Sequence, residues 1–507
     1  MSSNPNASRF TRASGVLLHL TSLPGPHGSG DLGSAAYHFV DWLQSAGQSL
    51  WQFLPLGDIG LGHSPYMSRS AFAGNVLLID LAELHQRGWL DADDLTPAAG
   101  LADDRVAFDR VIAFRMERLR RAAARFAAQS TPQERAELAA FRAEHAAWLD
   151  DYALFMALSE QFGDRLWSTW DAPLAQRKTA ALKQARTEHA PRIDFWVFAQ
   201  WSFFRQWAAL RAYANGKGVS LVGDMPIFIS LNSADVWARP DLFQLDDAGK
   251  PTVVAGVPPD YFSATGQRWG NPHYRWSAHA AEGYAWWIAR LRATFELVDR
   301  VRIDHFRGFE SCWEIPADQP TAVGGRWVAA PGEALFEAVS RALGPLPIIA
   351  EDLGVITPEV TALRQRFGFP GMRILHFAWG QDDGGLNAYL PHNYTHDTVV
   401  YPGTHDNDTS EGWWAQAPER VRHHLREYLA CDGGDIAWTL MRTASASVAD
   451  IALYAMQDVL RLDGAHRMNT PGTAEGNWGW RFTWAQVQPA HAAALKRFGQ
   501  LYNRLPT

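Results

Sequence analysis

Three carboxylates in this chain each sit at the end of a short apolar segment. V-R-I-D-H-F-R-G places Asp304, I-I-A-E-D-L-G places Glu351, and G-T-H-D-N-D-T places Asp406. Two carboxyl groups about 5–5.5 Å apart can break a glycosidic bond with retention, one as nucleophile and one as proton donor. The settings suggest different tasks. Arg302 and Asp304 are two apart, so on a strand their side chains share a face. A guanidinium there favours the ionised carboxylate, making Asp304 the candidate nucleophile. Glu351 follows Ile348, Ile349 and Ala350, and burial raises a carboxyl pKa, which suits a general acid. Asp406 is placed to hold sugar hydroxyls and stabilise an oxocarbenium-like state. Each acid alone reads equally well as a capped turn or a surface salt bridge. Three of them at three strand ends point to chemistry.

His305 and His405 adjoin two of these acids. A neutral imidazole can hydrogen-bond a sugar hydroxyl. No zinc-like spacing includes either histidine, so no metal chemistry is expected. There is no G-x-S-x-G elbow for serine-hydrolase chemistry.

Eight apolar runs must position these groups: 15–20, 49–54, 219–224, 301–304, 348–351, 372–377, 399–401 and 451–456. Near-continuous apolar runs joined by helix-length connections predict buried parallel strands. Polar residues gather where the runs stop: His19, Asp58, Asp224, Asp304, Glu351, His376, Asp406 and Asp458. A (β/α)₈ TIM barrel carries its active site at those C-terminal ends. The competing doubly wound sheet would carry a Gly-rich phosphate turn after its first strand. Here T-S-L-P-G-P-H-G follows instead. The expected organisation is one catalytic barrel over 1–507, with a loop-rich insertion at 57–100, a mostly helical one at 101–215, and a lid or substrate-loop insertion at 227–279.

The chain has 507 residues, 47% hydrophobic, with a net charge of −8 and no basic stripe. Nucleic acid is therefore not an expected partner, and neutral substrates suit it better than anions. Its start is polar, and no run is long enough to cross a bilayer, so no membrane association is expected. Two cysteines, Cys312 and Cys431, make no disulfide framework, which fits a reducing cytoplasm. Twenty-three tryptophans are many. Most should pack in the core, but loop rings such as Trp269 and Trp478 also suit the flat apolar faces of pyranoses.

Longer stretches carry a resemblance. L-L-H-L-T-S-L-P, G-D-M-P-I-F, R-I-D-H-F-R-G, I-A-E-D-L-G, P-H-N-Y, G-T-H-D-N-D-T, R-M-N-T-P-G-T and G-N-W-G-W-R occur in one order. In these the chain closely resembles glycoside hydrolase family 77, the amylomaltases or disproportionating enzymes, in their short bacterial form. The resemblance implies Asp304 as nucleophile, Glu351 as acid/base and Asp406 as transition-state stabiliser. It implies sugar contacts from Ser64, Tyr66, Asp224, Trp269, Arg302, His305, His405 and Asn469. It matches a family lid to residues 256–272, where Asp260, Tyr261, Phe262 and Trp269 offer further contacts. Asp383, in F-A-W-G-Q-D-D-G, departs in spacing from the family's sugar-binding acid. The implied reaction is 4-α-glucan transfer with no metal or organic cofactor. Maltooligosaccharides, amylose or starch-like α-glucans would be donors, and glucose or another glucan the acceptor. An α-1,4-glucan hydrolase on the same barrel, or a non-catalytic glucan-binding protein, are the alternatives.

Overall fold

The structure, a computed structural model, describes residues 10–259, 263–381 and 385–506. Asp260, Tyr261, Phe262 and Asp383 lie outside the described residues.

Eight strands form one sheet: β1 (Ala13–Leu17), β2 (Leu50–Gln52), β3 (Ser220–Pro226), β4 (Arg300–Asp304), β5 (Ile348–Ala350), β6 (Gly371–Ile374), β7 (Thr398–Tyr401) and β8 (Ile451–Ala455). The order is β6-β7-β8-β1-β2-β3-β4-β5, and every pairing is parallel. This is the TIM-barrel order expected from the runs. Bounds differ by a few residues. The run at 372–377 splits into β6 and a 3-10 turn, Leu375–Phe377. β3 continues past Asp224 to Pro226, which pairs with Asp304.

The inside of the barrel is apolar on most of its wall. Leu50, Val222, Ile349, Met372, Val399 and Ile451 meet there, with Phe10 beneath them. β4 is different. Arg300 is in register with Val222, and Arg302 with both Asp224 and Ile349. Its inward face therefore reads Arg300, Arg302, Asp304, a polar column in an apolar tube.

The sheet closes between β5 and β6 through few bonds. Ala350 N–H donates to the Pro370 carbonyl at 2.9 Å. Beside it, Met372 N–H donates to the Asp352 carboxylate at 2.7 Å. Arg364 and Arg373 flank that carboxylate at 3.3 and 3.4 Å. A side chain thus replaces a ladder bond at the seam. It fits only because residue 371 lacks a side chain: a Cβ there would lie 2.4 Å from Asp352 Oδ2.

Between β2 and β3 the chain passes through 3-10 turns and then long helices, among them Phe108–Gln129, Ala146–Gln161 and Ala190–Gly216. The last of these leads directly into β3. The 227–279 segment differs from the loop expected there. Val253–Val257 and Gln267–Pro272 are antiparallel strands. They join Ser311–Pro316 and Arg326–Ala329 in a second, four-stranded sheet. The described ends of the 256–272 stretch are therefore paired antiparallel strands. Gly256 serves close approach rather than a special φ, since a Cβ would meet the Gln267 carbonyl at 2.1 Å. Gly266 and Gly270 do adopt positive φ, 65° and 84°.

The seam makes a prediction. Gly371→Ala forces Asp352 off its donors and should destabilise the protein by about 1–3 kcal/mol, the usual range for overpacking. A denaturation midpoint equal to wild type would show that Asp352 is not needed to close the barrel.

Candidate active site

Adjacent strand ends bring the acids together. Ile303 and Ala350 are in register, so Asp304 and Glu351 follow side by side. Glu351 N–H donates to the Ile303 carbonyl at 3.1 Å, and Phe306 N–H donates to the Glu351 carbonyl at 3.1 Å. His305 lies between in a left-handed conformation, φ 53°. From that turn its N–H donates to Glu351 Oε2 at 2.7 Å, while Leu353 N–H donates to Oε1 at 3.1 Å.

Arg302 is the hub. Its Nη1 donates to both Asp224 oxygens, at 2.9 and 2.7 Å, and its Nη2 to Asp304 at 2.9 Å. Tyr66 Oη donates to Asp224 at 2.8 Å and stands 2.7 Å from His405 Nε2. The phenol has one proton, and it serves Asp224, so His405 must carry its own on Nε2. That N–H also faces Asp406 at 3.3 Å. Asn469 donates to the other Asp406 oxygen at 2.6 Å. One polar chain thus runs from Asp304 through Arg302, Asp224, Tyr66 and His405 to Asp406.

Of the residues singled out in the sequence, Asp224, Arg302, Asp304, His305, Glu351, His405, Asp406, Asn469 and Tyr66 converge here. Trp269 reaches the site from the second sheet, its ring edge-on to His305 at 4.9 Å. Ser64 enters indirectly: its Oγ accepts from Tyr66 N–H at 3.2 Å and fixes the turn that carries the phenol. Trp478 packs near Tyr66 and His405, at 5.7 and 6.3 Å. Arg467 was not singled out. It donates to the backbone carbonyls of Asp406 and Asn469, tying the two together. Its place two residues before Asn469 in R-M-N-T was the available signal. Among the described residues no cluster of His, Cys, Asp or Glu is arranged to hold a metal ion.

The family model described as 4-alpha-glucanotransferase, glycoside hydrolase family 77, matches residues 18–487. The chain belongs to this family. The 4-alpha-glucanotransferase of Thermus thermophilus is 51% identical over 503 residues, 97% of this chain and 99% of its own. That of Synechocystis sp. is 47% identical over 497 residues, 97% and 98% of the two chains. An amylomaltase from Streptococcus agalactiae, solved in complex with acarbose, superposes with a TM-score of 0.94 at 40% identity, over 97% and 99%. An amylomaltase from Corynebacterium glutamicum, 18% identical, shares the fold with a TM-score of 0.75 over 98% of this chain and 75% of its own. The chain is thus a glucan-transferring enzyme on a barrel, and the hydrolase alternative gains no support.

The electrostatics of a glucanotransferase site follow from this packing. Burial pushes Glu351 up from its ordinary 4.5 to about 8; Arg302 opposes the shift and the Asp304 charge adds to it. Asp304 was expected to be held down by Arg302. Instead burial pushes it up to about 6, with Arg302 opposing and Asp224 and Asp406 adding to the rise. For Asp304 burial outweighs the guanidinium, and the neighbouring anions add to the rise. The order of the two acids still stands, with Asp304 ionising first. His305 is held neutral by burial, its pKa driven down to about 3, and its Nε2 has no hydrogen-bond partner among the described residues.

A raised carboxyl costs stability once it ionises. Unfolded, Glu351 ionises in the ordinary range; folded, it keeps its proton up to about 8. Its contribution is present below the unfolded pKa and is lost as pH rises through the folded value. Glu351→Gln removes that loss. The Tm of the variant relative to wild type should climb between about pH 5 and pH 8. A difference that stays flat across this window would show that the carboxyl is not held neutral.

Proposed function

We propose that the enzyme moves a segment of an α-1,4-glucan to the 4-hydroxyl of another glucan or of glucose, by a retaining double displacement. Maltooligosaccharides and amylose or starch-like chains are the donors. The carrying observation is the pairing of Asp304 and Glu351 on neighbouring strand ends, with Arg302 on the first and two backbone donors on the second.

Glu351 gives its proton to the glycosidic oxygen as an Asp304 oxygen attacks the anomeric carbon. The C1–O bond breaks and the released glucan leaves from the acceptor side. Asp304 is then esterified to the sugar, and Glu351 is a carboxylate. It takes the proton of an incoming 4-hydroxyl, whose oxygen attacks C1 and frees Asp304. Both displacements invert, so the α linkage is kept.

Asp406 faces the ring as positive charge develops, held in place by Asn469 and His405. The unpartnered His305 Nε2 supports a hydrogen bond from this imidazole to a sugar hydroxyl. Tyr66 and Trp269 offer rings to pyranose faces. Asp224 acts through Arg302. The 256–272 segment, whose sequence includes Asp260, is the proposed lid. Closed over the ester, it favours a sugar hydroxyl over water. The catalytic unit is the whole chain, one barrel with its insertions. The free thiols of Cys312 and Cys431 support a cytoplasmic setting.

Maltotriose is the test substrate. It should yield glucose and a ladder of longer maltooligosaccharides with total reducing ends nearly constant. Rising reducing ends without longer products would mean hydrolysis instead. Asp304→Asn and Glu351→Gln should each lower turnover by about 10²–10⁴-fold, the span of general acid–base catalysis. Near-normal turnover in either folded variant would remove that residue from the mechanism.

The pH profile is a separate check. The active form has Asp304 ionised and Glu351 protonated. kcat/KM should therefore be bell-shaped, with an acid limb near pH 6 and an alkaline limb near pH 8. An alkaline limb absent up to about pH 9 would dissociate Glu351 from proton donation.

A further inference from the structure

A second cavity lies away from the acids, on the face of the four-stranded sheet formed by Cys312, Glu314 and Val328. Its volume is about 560 Å³, within the range of about 300–1,000 Å³ typical of small-molecule sites. Its opposite wall is Gln244 with the 275–277 segment. The Phe228 ring links the two regions, 6.4 Å from Trp269 and 5.1 Å from His273 in the cavity wall.

The lining is polar in a particular way. Glu314 is 5% exposed, and its Oε1 accepts from Gln244 at 2.9 Å. Its Oε2 lies 3.7 Å from the exposed Arg326 guanidinium, beyond hydrogen-bond distance, so acceptor capacity is left over. His273 is buried in the wall, its ring close to the backbone of Val254 and Trp313 and to the Glu314 carboxylate. Thr252 and Ser277 bring hydroxyls to the exposed rim. Trp276 is half-buried and supplies a flat ring, propped by Tyr274 at 5.1 Å.

A buried polar group without a full set of partners is costly. One carboxylate, one amide, hydroxyls and an aromatic plane match a ligand that presents both donors and acceptors around an apolar face. A cation would be opposed by Arg275 and Arg326, and an anion by Glu314. A neutral polyol ring meets neither conflict.

We infer that this cavity is an accessory site for a stretch of α-glucan, distinct from the catalytic groove. The inference rests on the proposed glucan substrate. A chain held there is tethered close to the strand that carries Trp269. Tethering raises the effective concentration of its remaining length at the catalytic site. Long glucans gain from this, and maltotriose, too short to occupy both sites, does not.

Titration calorimetry of the Glu351→Gln protein with maltoheptaose tests it. Two classes of site are expected. Ala329→Trp, added on the exposed wall of the cavity, should abolish the second class. Gln244→Ala, which keeps the cavity open, should weaken that class by about tenfold, because it removes the amide that lines the cavity and positions the Glu314 carboxylate. In otherwise wild-type enzyme, both changes should leave maltotriose turnover unaltered and raise KM for amylose. A single class of site in the parent protein, or a second class untouched by Gln244→Ala, overturns the inference. Failure to extend maltotriose would instead overturn the proposed reaction, whatever the calorimetry shows.

Discussion

The site depends on one buried cation. Arg302 is 3% exposed, inside a barrel whose wall is otherwise largely apolar. A charge so placed must be paired, and pairing here is geometric as well as electrostatic. Asp224 takes Nη1 with both oxygens and Asp304 takes Nη2. The fork of the guanidinium therefore sets the orientation of Asp304, the proposed nucleophile. Removing Asp224 would leave more than one vacant bond: it would free Arg302 to turn toward Asp304 with both nitrogens.

The barrel frame makes this pairing possible and also limits it. Asp304 and Glu351 close β4 and β5 side by side, and Asp224, two residues before the end of β3, is in register with Arg302, so strand pairing alone brings the three acids around one guanidinium. Asp406 follows β7, on the far side of the seam, and no strand neighbour ties it to the others. The chain of Tyr66 and His405 supplies that tie. Tyr66 comes from the insertion after β2, and its turn is held by Ser64. The insertion therefore completes the catalytic ring. The seam between β5 and β6 has the same character: Asp352, one residue from Glu351, stands in for backbone pairing.

The strands and the three acids were legible because buried parallel strands are written as apolar runs that stop at polar residues. Asp304, Glu351 and Asp406 needed no knowledge of packing to be noticed. What was hidden depends on contacts between segments far apart in the chain. The second sheet joins 253–272 to 311–329, and its short strands are interrupted by Gly and Pro, which read as loop. The left-handed turn at His305, which aims a backbone donor at Glu351, leaves no mark in residue type. Arg302 beside Asp304 was visible, but Asp224 and Asp406 sharing its field were not. That is why Asp304 was expected low and stands high.

In the proposed double displacement the shared field also lets Glu351 serve in both half-reactions. Before the first displacement its proton is kept by burial and by the negative charge on Asp304, against the pull of Arg302. When Asp304 becomes an ester, that negative charge disappears, while Arg302 stays. Burial persists, but one influence that raised the Glu351 pKa is removed and the one that lowered it remains, so the carboxylate left by proton donation is less disfavoured than before. A group that began as an acid is thus held as a base until an acceptor hydroxyl arrives. Its readiness comes from the covalent state of its neighbour, and no movement of the protein is needed. The backbone N–H groups of His305 and Leu353 hold the carboxylate in one position through both steps. Which hydroxyl reaches it, that of a sugar or of water, is then decided by what the 256–272 segment and the aromatic walls admit.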